Sequence, residues 1–213
     1  MEVYFRSRGD YAVIHEPFGD TYWQDADPQT AKNSLLQDIQ NSDLPVFVKD
    51  IAHHVPQPIV GSPDFVNAFT HVIVLRSPLA TFHSHLAVNP EVKSHEFGYI
   101  ALYETFDRIR ELTGKTPKLI LADQLLEDPE MTVRDLCEAL HIDHLPEALS
   151  WEPKHQTDWS VGDKWQIQAG KSSGFEKRQK VKLEPVPESL LDIYEQHQQC
   201  YIRLIEETCI EDV

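Results

Sequence analysis

The sequence predicts an α/β domain with a mainly parallel sheet and helices on both faces, a three-layer α/β/α arrangement. Two observations predict it. Four short β-rich runs are almost continuously apolar rather than alternating, as strands covered on both faces must be. Stretches with apolar residues near a 3.6-residue period separate them, and such alternation favours crossover connections between parallel strands. The strand runs are 11–15 (YAVIH), 45–49 (PVFVK), 71–75 (HVIVL) and 118–122 (KLILA). The first predicted helix, 29–41, places Ala31, Leu35, Leu36 and Ile39 on one face. A stronger stripe over 94–113 carries Phe97, Ile100, Tyr103, Phe106, Ile109 and Leu112. Residues 129–141 open with Pro129, favoured in a first helical turn, and present Val133, Leu136, Cys137 and Leu140. The last helix, 187–208, opens with Pro187 and carries Leu190, Ile193, Tyr194, Tyr201, Leu204 and Ile205. The whole chain, 1–213, reads as a single domain, with 146–182 as a lid and loop region.

Composition narrows the function. Nineteen Lys and Arg stand against 35 Asp and Glu, a formal net charge of −16. Such a surface repels nucleic acid and anionic membrane, so neither is an expected partner. No apolar run approaches the roughly 18–20 residues that span a bilayer, and the N-terminus lacks the basic-then-apolar order of a secretory leader. A cytoplasmic protein is the default expectation. Three cysteines without a close CxxC pair form neither a disulfide framework nor a thiolate zinc site. Eight glycines, where average usage would give about 15, leave no glycine-dense dinucleotide fingerprint, and no GxxxxGK[ST] loop occurs.

Ligands of parallel sheets bind at the carboxyl ends of strands. His15, Lys49 and Arg76 sit at three of the four ends despite the acidic average, the pattern of an anion site. Arg76 and Ser84 are eight residues apart, so a guanidinium and a hydroxyl two helical turns on are both available to one phosphate; a strand-end Arg in a surface ion pair beside a merely helical Ser84 stays open. Residues 164–182 hold Lys164, Lys171, Lys177, Arg178, Lys180 and Lys182 against only Glu176. Within them, Gly170, Lys171, Ser172 and Gly174 read as a flexible basic loop able to close over a phosphate, or as a solvated loop facing the acidic surface.

Several blocks resemble the sulfotransferase family. Residues 74–84 (VLRSPLATFHS) are similar to the segment that holds the 3′-phosphate of PAPS, 3′-phosphoadenosine 5′-phosphosulfate: strand, Arg-x-Pro, then Ser eight after the Arg. Residues 119–129 (LILADQLLEDP) resemble the family's strand, acidic turn and Asp-Pro helix start. Residues 9–18, 49–54 and 147–153 are similar to a bacterial and fungal branch. The resemblance implies a P-loop-like fold, PAPS as co-substrate, and sulfuryl transfer to a hydroxyl or amine of a small acceptor. It implies Arg76, Ser84, Lys171, Gly170, Ser172 and Gly174 around the donor's 3′-phosphate. The catalytic candidates are Lys49 near the transferred group and His53 or His54 as base, with His15 second. No metal is expected. Trp151, Trp159 and Trp165 are read as core filling or as lid residues that stack on a ring. One departure matters: the family's first strand, phosphosulfate loop and helix start are missing, with Val3–Arg8 as the apparent helix remnant. An upstream segment, a partner or homo-oligomer covering the exposed sheet edge, and outright loss are alternatives. A non-catalytic nucleotide-binding or partner-binding relic, and a nucleotide-dependent kinase, are the other function classes.

Overall fold

The computed structural model describes residues 1–154, 156–159, 163–176 and 183–209, without the side chains of 163–165 and 209. In chain order the elements are α1 (Glu2–Arg8), β1 (Ala12–His15), α2 (Gly19–Trp23), α3 (Pro28–Asn41), β2 (Val46–Lys49), α4 (Gln57–Val60), α5 (Pro63–Val66), β3 (Val72–Leu75), α6 (Pro78–Val88), α7 (Tyr99–Thr113), β4 (Lys118–Leu121), α8 (Ala122–Glu127), α9 (Pro129–Leu140), α10 (Asp163–Lys171) and α11 (Leu191–Cys209). Strands and helices alternate, and both strand pairs among the described residues are parallel. This is the predicted α/β class. The parallel pairing comes as two separate two-stranded ladders, one in each of two compact units.

Unit 1 comprises Met1–Ile59 and Pro129–Lys177. Its α1 stops at Gly9, whose φ of 75° is left-handed, the conformation glycine adopts without a Cβ penalty. The chain then enters β1, which pairs with β2 in the register Ala12↔Val46 to His15↔Lys49. Between them α3 starts on the Asp27 carboxylate, which accepts from the amides of Gln29 and Thr30, with Pro28 at the first helical position. Phe5 stacks on Phe47 with ring centroids 4.0 Å apart, fastening α1 to β2. From α9, Val133, Leu136 and Cys137 are buried. Each aliphatic side chain so enclosed contributes about 1.5–3 kcal/mol.

Unit 2 comprises Val60–Asp128 and Arg178–Val213. The pair β3 and β4 runs from Val72↔Lys118 to Leu75↔Leu121. The core gathers Ile73, Leu75, Phe82, Phe97, Phe106 and Leu204, with Phe82 stacked on Phe97 at 3.6 Å and 5°. His197 is fully buried among the rings of Phe82, Phe97 and Tyr99; burial lowers its pKa, so it packs as a neutral ring. The helix expected over 94–113 is divided: Ser94–Phe97 is a 3₁₀ turn, and Gly98, at φ 83°, separates it from α7. The acidic turn expected after β4 is instead the helix α8.

Candidate functional site

At the carboxyl ends of β1 and β2 the register sets His15 opposite Lys49. Around them fold Glu2 of α1, the loop residue Glu16, Asp50, and a 3₁₀ turn, Ala52–His54. His15 Nδ1 lies 2.7 Å from Glu2 Oε2. The other Glu2 oxygen accepts from Arg6 Nε (2.9 Å) and its terminal nitrogen (2.7 Å), and from Trp159 Nε1 (2.9 Å). Burial opposes the Glu2 charge, but the hydrogen bonds from His15, Trp159 and Arg6 outweigh it and hold this carboxyl down at about 2. Glu2 is thus an ionised, acceptor-only group at neutral pH.

Glu16 follows β1 with φ 41°, a left-handed conformation costing a side-chain-bearing residue about 1–3 kcal/mol. Its amide donates to the Lys49 carbonyl at 2.6 Å and its carbonyl accepts from Gly19 at 2.8 Å, which holds the turn. The Glu16 carboxylate pairs with the Lys49 ammonium. His15 Nε2 stands 3.6 Å from the same Glu16 oxygen, and His54 Nδ1 stands 3.7 Å from the other and 3.8 Å from Asp50 Oδ1. These separations exceed a hydrogen bond, and among the described residues both imidazole nitrogens are buried without a hydrogen-bond partner. Asp50 accepts from the amides of Phe18 (3.0 Å) and Ile51 (2.7 Å); burial nevertheless pushes it up to about 7. Burial, with Lys49 and His15 nearby, lowers His54 to about 4. The result is two anchored carboxylates, Glu2 and Glu16, one proton-holding carboxyl, Asp50, two imidazoles and a partly exposed ammonium paired with Glu16. An imidazole nitrogen of that set can receive a proton.

Unit 1 therefore brings together His15, Lys49 and His54, while His53 lies half-buried with its ring against Tyr22 and His54. Glu2, Asp50 and Trp159 belong to the same group without being expected there. Trp159 is 1% exposed, so it fills the core and is not a lid residue available for stacking. The basic segment also differs from an open loop. Helix α10 runs through Gly170 and Lys171, and Gly174 bridges antiparallel to Ser150. The Ser172 hydroxyl donates to the Ala169 carbonyl and accepts from Trp151 Nε1. A Cβ at Gly174 would meet the Leu149 carbonyl at 3.1 Å, which explains a glycine there. Lys171 is exposed. Lys177, Arg178, Lys180 and Lys182 lie outside the described residues, as do the side chains of Lys164 and Trp165.

In unit 2, Arg76 is the first residue after β3 and is half-buried. The Tyr99 hydroxyl donates to the Arg76 carbonyl at 2.7 Å and lies 2.7 Å from the Thr81 hydroxyl. Ser77 caps α6 by accepting from the Ala80 amide, and Pro78 opens the helix. Ser84 follows about two turns along, half-buried. His83 Nε2 lies 2.7 Å from the Glu184 carbonyl. Among the described residues no three His, Cys, Asp or Glu side chains are arranged to hold a metal, and no helix is long and apolar enough to cross a membrane.

No family model matches the chain. Curated relatives are two Arabidopsis thaliana proteins. Branched-chain-amino-acid aminotransferase-like protein 2 is 27% identical over 190 residues, 83% of this chain and 34% of the relative. Branched-chain-amino-acid aminotransferase-like protein 1 is 29% identical over 130 residues, 60% of this chain and 23% of the relative. The chain thus spans about a third or less of the curated proteins it matches. Two solved structures align over most of it. They are a sulfotransferase domain from the curacin biosynthetic pathway (TM-score 0.40, 11% identity, 92% of this chain and 86% of that one) and a sulfotransferase domain from the Synechococcus PCC 7002 olefin synthase (0.45, 10%, 87% and 74%).

Proposed function

We propose that the protein binds PAPS and transfers its sulfuryl group to a hydroxyl or amine of a small acceptor. The observation that carries this reading is the register of β1 and β2, which pairs a histidine with a lysine at the strand ends where parallel-sheet ligands bind. In the reaction the acceptor attacks sulfur, its proton passes to a histidine, and the bond from sulfur to the bridging phosphate oxygen breaks. Lys49, 30% exposed and paired with Glu16, is proposed to turn from that carboxylate toward the charge that gathers on the departing 3′,5′-bisphosphoadenosine. A base works best with a pKa near the working pH, and His54, lowered to about 4, is ill-suited. His15, whose Nδ1 is held by Glu2 at the end of β1, is the proposed base, with His53 as the alternative. Each unit offers its own proposed phosphate contacts, to be tested one residue at a time: Arg76 and Ser84 in unit 2, and Gly170, Lys171, Ser172 and Gly174 in unit 1.

A second reading, nucleotide binding without turnover, is favoured by one observation: the His15 and His54 side chains are only 4% and 2% exposed. The test is thermal stabilisation by 3′,5′-bisphosphoadenosine compared with ATP, followed by a transfer assay with PAPS. Selective stabilisation that Arg76→Ala abolishes, plus turnover, supports transfer. Stabilisation without turnover supports binding alone. A preference for ATP overturns transfer from PAPS and favours a nucleotide-dependent kinase; no response overturns both readings.

A further inference from the structure

We propose that Glu2 is a positioning residue for His15: it locks the imidazole in the Nδ1–H tautomer and leaves Nε2 as the nitrogen that takes a proton. A carboxylate only accepts, so the 2.7 Å contact between Glu2 Oε2 and His15 Nδ1 requires the hydrogen to sit on Nδ1. Glu2 cannot swing away. Its other oxygen is held from two sides, by both Arg6 donors and by the Trp159 indole, and its side chain is 9% exposed.

At the far side of the ring, Nε2 is buried and, among the described residues, without a hydrogen-bond partner. It faces Glu16 Oε1 at 3.6 Å. A lone pair beside a carboxylate would be unfavourable, but the Lys49 ammonium is bound to that same oxygen and cancels its charge locally. The Glu2 contact fixes which ring nitrogen carries a hydrogen, and the Glu16–Lys49 pair lies on the opposite side of the ring. The arrangement is a carboxylate bonded to one ring nitrogen with the other ring nitrogen buried on the far side, the pairing that orients a general base.

The inference rests on His15 as the base of the proposed transfer, yet its readout is independent of activity. Long-range ¹H–¹⁵N NMR of uniformly labelled protein at neutral pH distinguishes the two tautomers and the doubly protonated ring. His15, assigned by its disappearance in His15→Gln, should show Nδ1 protonated and Nε2 bare. An Nε2–H tautomer or a doubly protonated ring overturns the proposal on the wild-type protein alone, so it does not depend on any variant folding. In Glu2→Gln, whose amide offers both donor and acceptor, the resonances should move toward a mixture; an unchanged Nδ1–H tautomer overturns it. In the transfer assay, kcat of Glu2→Gln should fall ~10²-fold with KM within about twofold. Loss in KM alone overturns the positioning role. A locked tautomer in a protein that turns nothing over would overturn the transferase reading and leave the tautomer assignment standing.

Discussion

Neutralising Glu2 should cost unit 1 about 3 kcal/mol at neutral pH. The carboxyl falls from an ordinary 4.5 to about 2 in the folded protein, and each pH unit corresponds to 1.36 kcal/mol. A depressed carboxylate contributes its full stabilisation above the unfolded value. That contribution is lost as pH falls from 4.5 through about 2, because protons must then be bound to break the contacts with His15, Trp159 and Arg6. Glu2→Gln mimics the protonated state at every pH. Its stability deficit should therefore be about 3 kcal/mol at pH 7, shrink steadily below pH 4.5 and vanish near pH 2. Urea unfolding followed by tryptophan fluorescence is a suitable assay, since Trp23, Trp151, Trp159 and Trp165 all belong to unit 1. A deficit under about 1 kcal/mol, or one equal at pH 7 and pH 3, would refute the claim that the ionised carboxylate holds this end of the strand pair.

Three other outcomes are expected. Asp50, pushed up to about 7 by burial, retains a proton in the fold that the unfolded chain releases near 3.8, so its contribution drains stability as pH rises through that window. Asp50→Asn should therefore gain on the wild type by up to about 4 kcal/mol between pH 4 and pH 8, measured as urea midpoints; a difference independent of pH contradicts it. Phe82→Ala removes a fully buried ring stacked on Phe97 and should cost about 3–5 kcal/mol by far-ultraviolet circular dichroism. A loss below about 1 kcal/mol would mean that the aromatic stack closes over the gap. Tyr99→Phe leaves the Arg76 carbonyl without its donor, costing about 1–3 kcal/mol. The same variant should weaken stabilisation by 3′,5′-bisphosphoadenosine, and unaltered nucleotide binding would separate Tyr99 from the role proposed for Arg76.

The strands were legible because each is a short apolar run closed by a charged or imidazole side chain, and the observed bounds fall within a residue or so of the runs. The start of α9 was legible because Pro129 occupies its first turn, where proline loses nothing, whereas after Pro187 a 3₁₀ turn, Glu188–Leu190, precedes α11. The break at Gly98 was hidden by an apolar stripe that continues from Phe97 into α7, and only the left-handed backbone reveals it. Helix α10 was obscured because Gly170 and two serines suggest a loop, while tertiary contacts of Trp151 with Ser172 and Ser173 hold the segment. At the site, His15 and Lys49 could be placed because strand ends can be placed. Glu2 and Trp159 could not: their mutual contact spans 157 residues, and a lone carboxylate near a chain end carries no periodicity. Asp50 is ordinary in sequence and becomes unusual only through enclosure.

Each unit is assembled from two stretches far apart in the chain, and synthesis proceeds from one end to the other. The first 59 residues of unit 1 emerge from the ribosome with α9 and the Trp159 segment still unmade, so Glu2 has no indole to bind. At about 5–20 residues per second, several seconds pass before the complementary stretch arrives. The nascent β1 and β2 must wait, as β3 and β4 must wait for α11 and Leu204. Vectorial production of this protein therefore exposes apolar strand surface for longer than a contiguous domain of equal size would, and a chaperone that shields short β-rich segments should raise its yield more than one that acts on the finished chain.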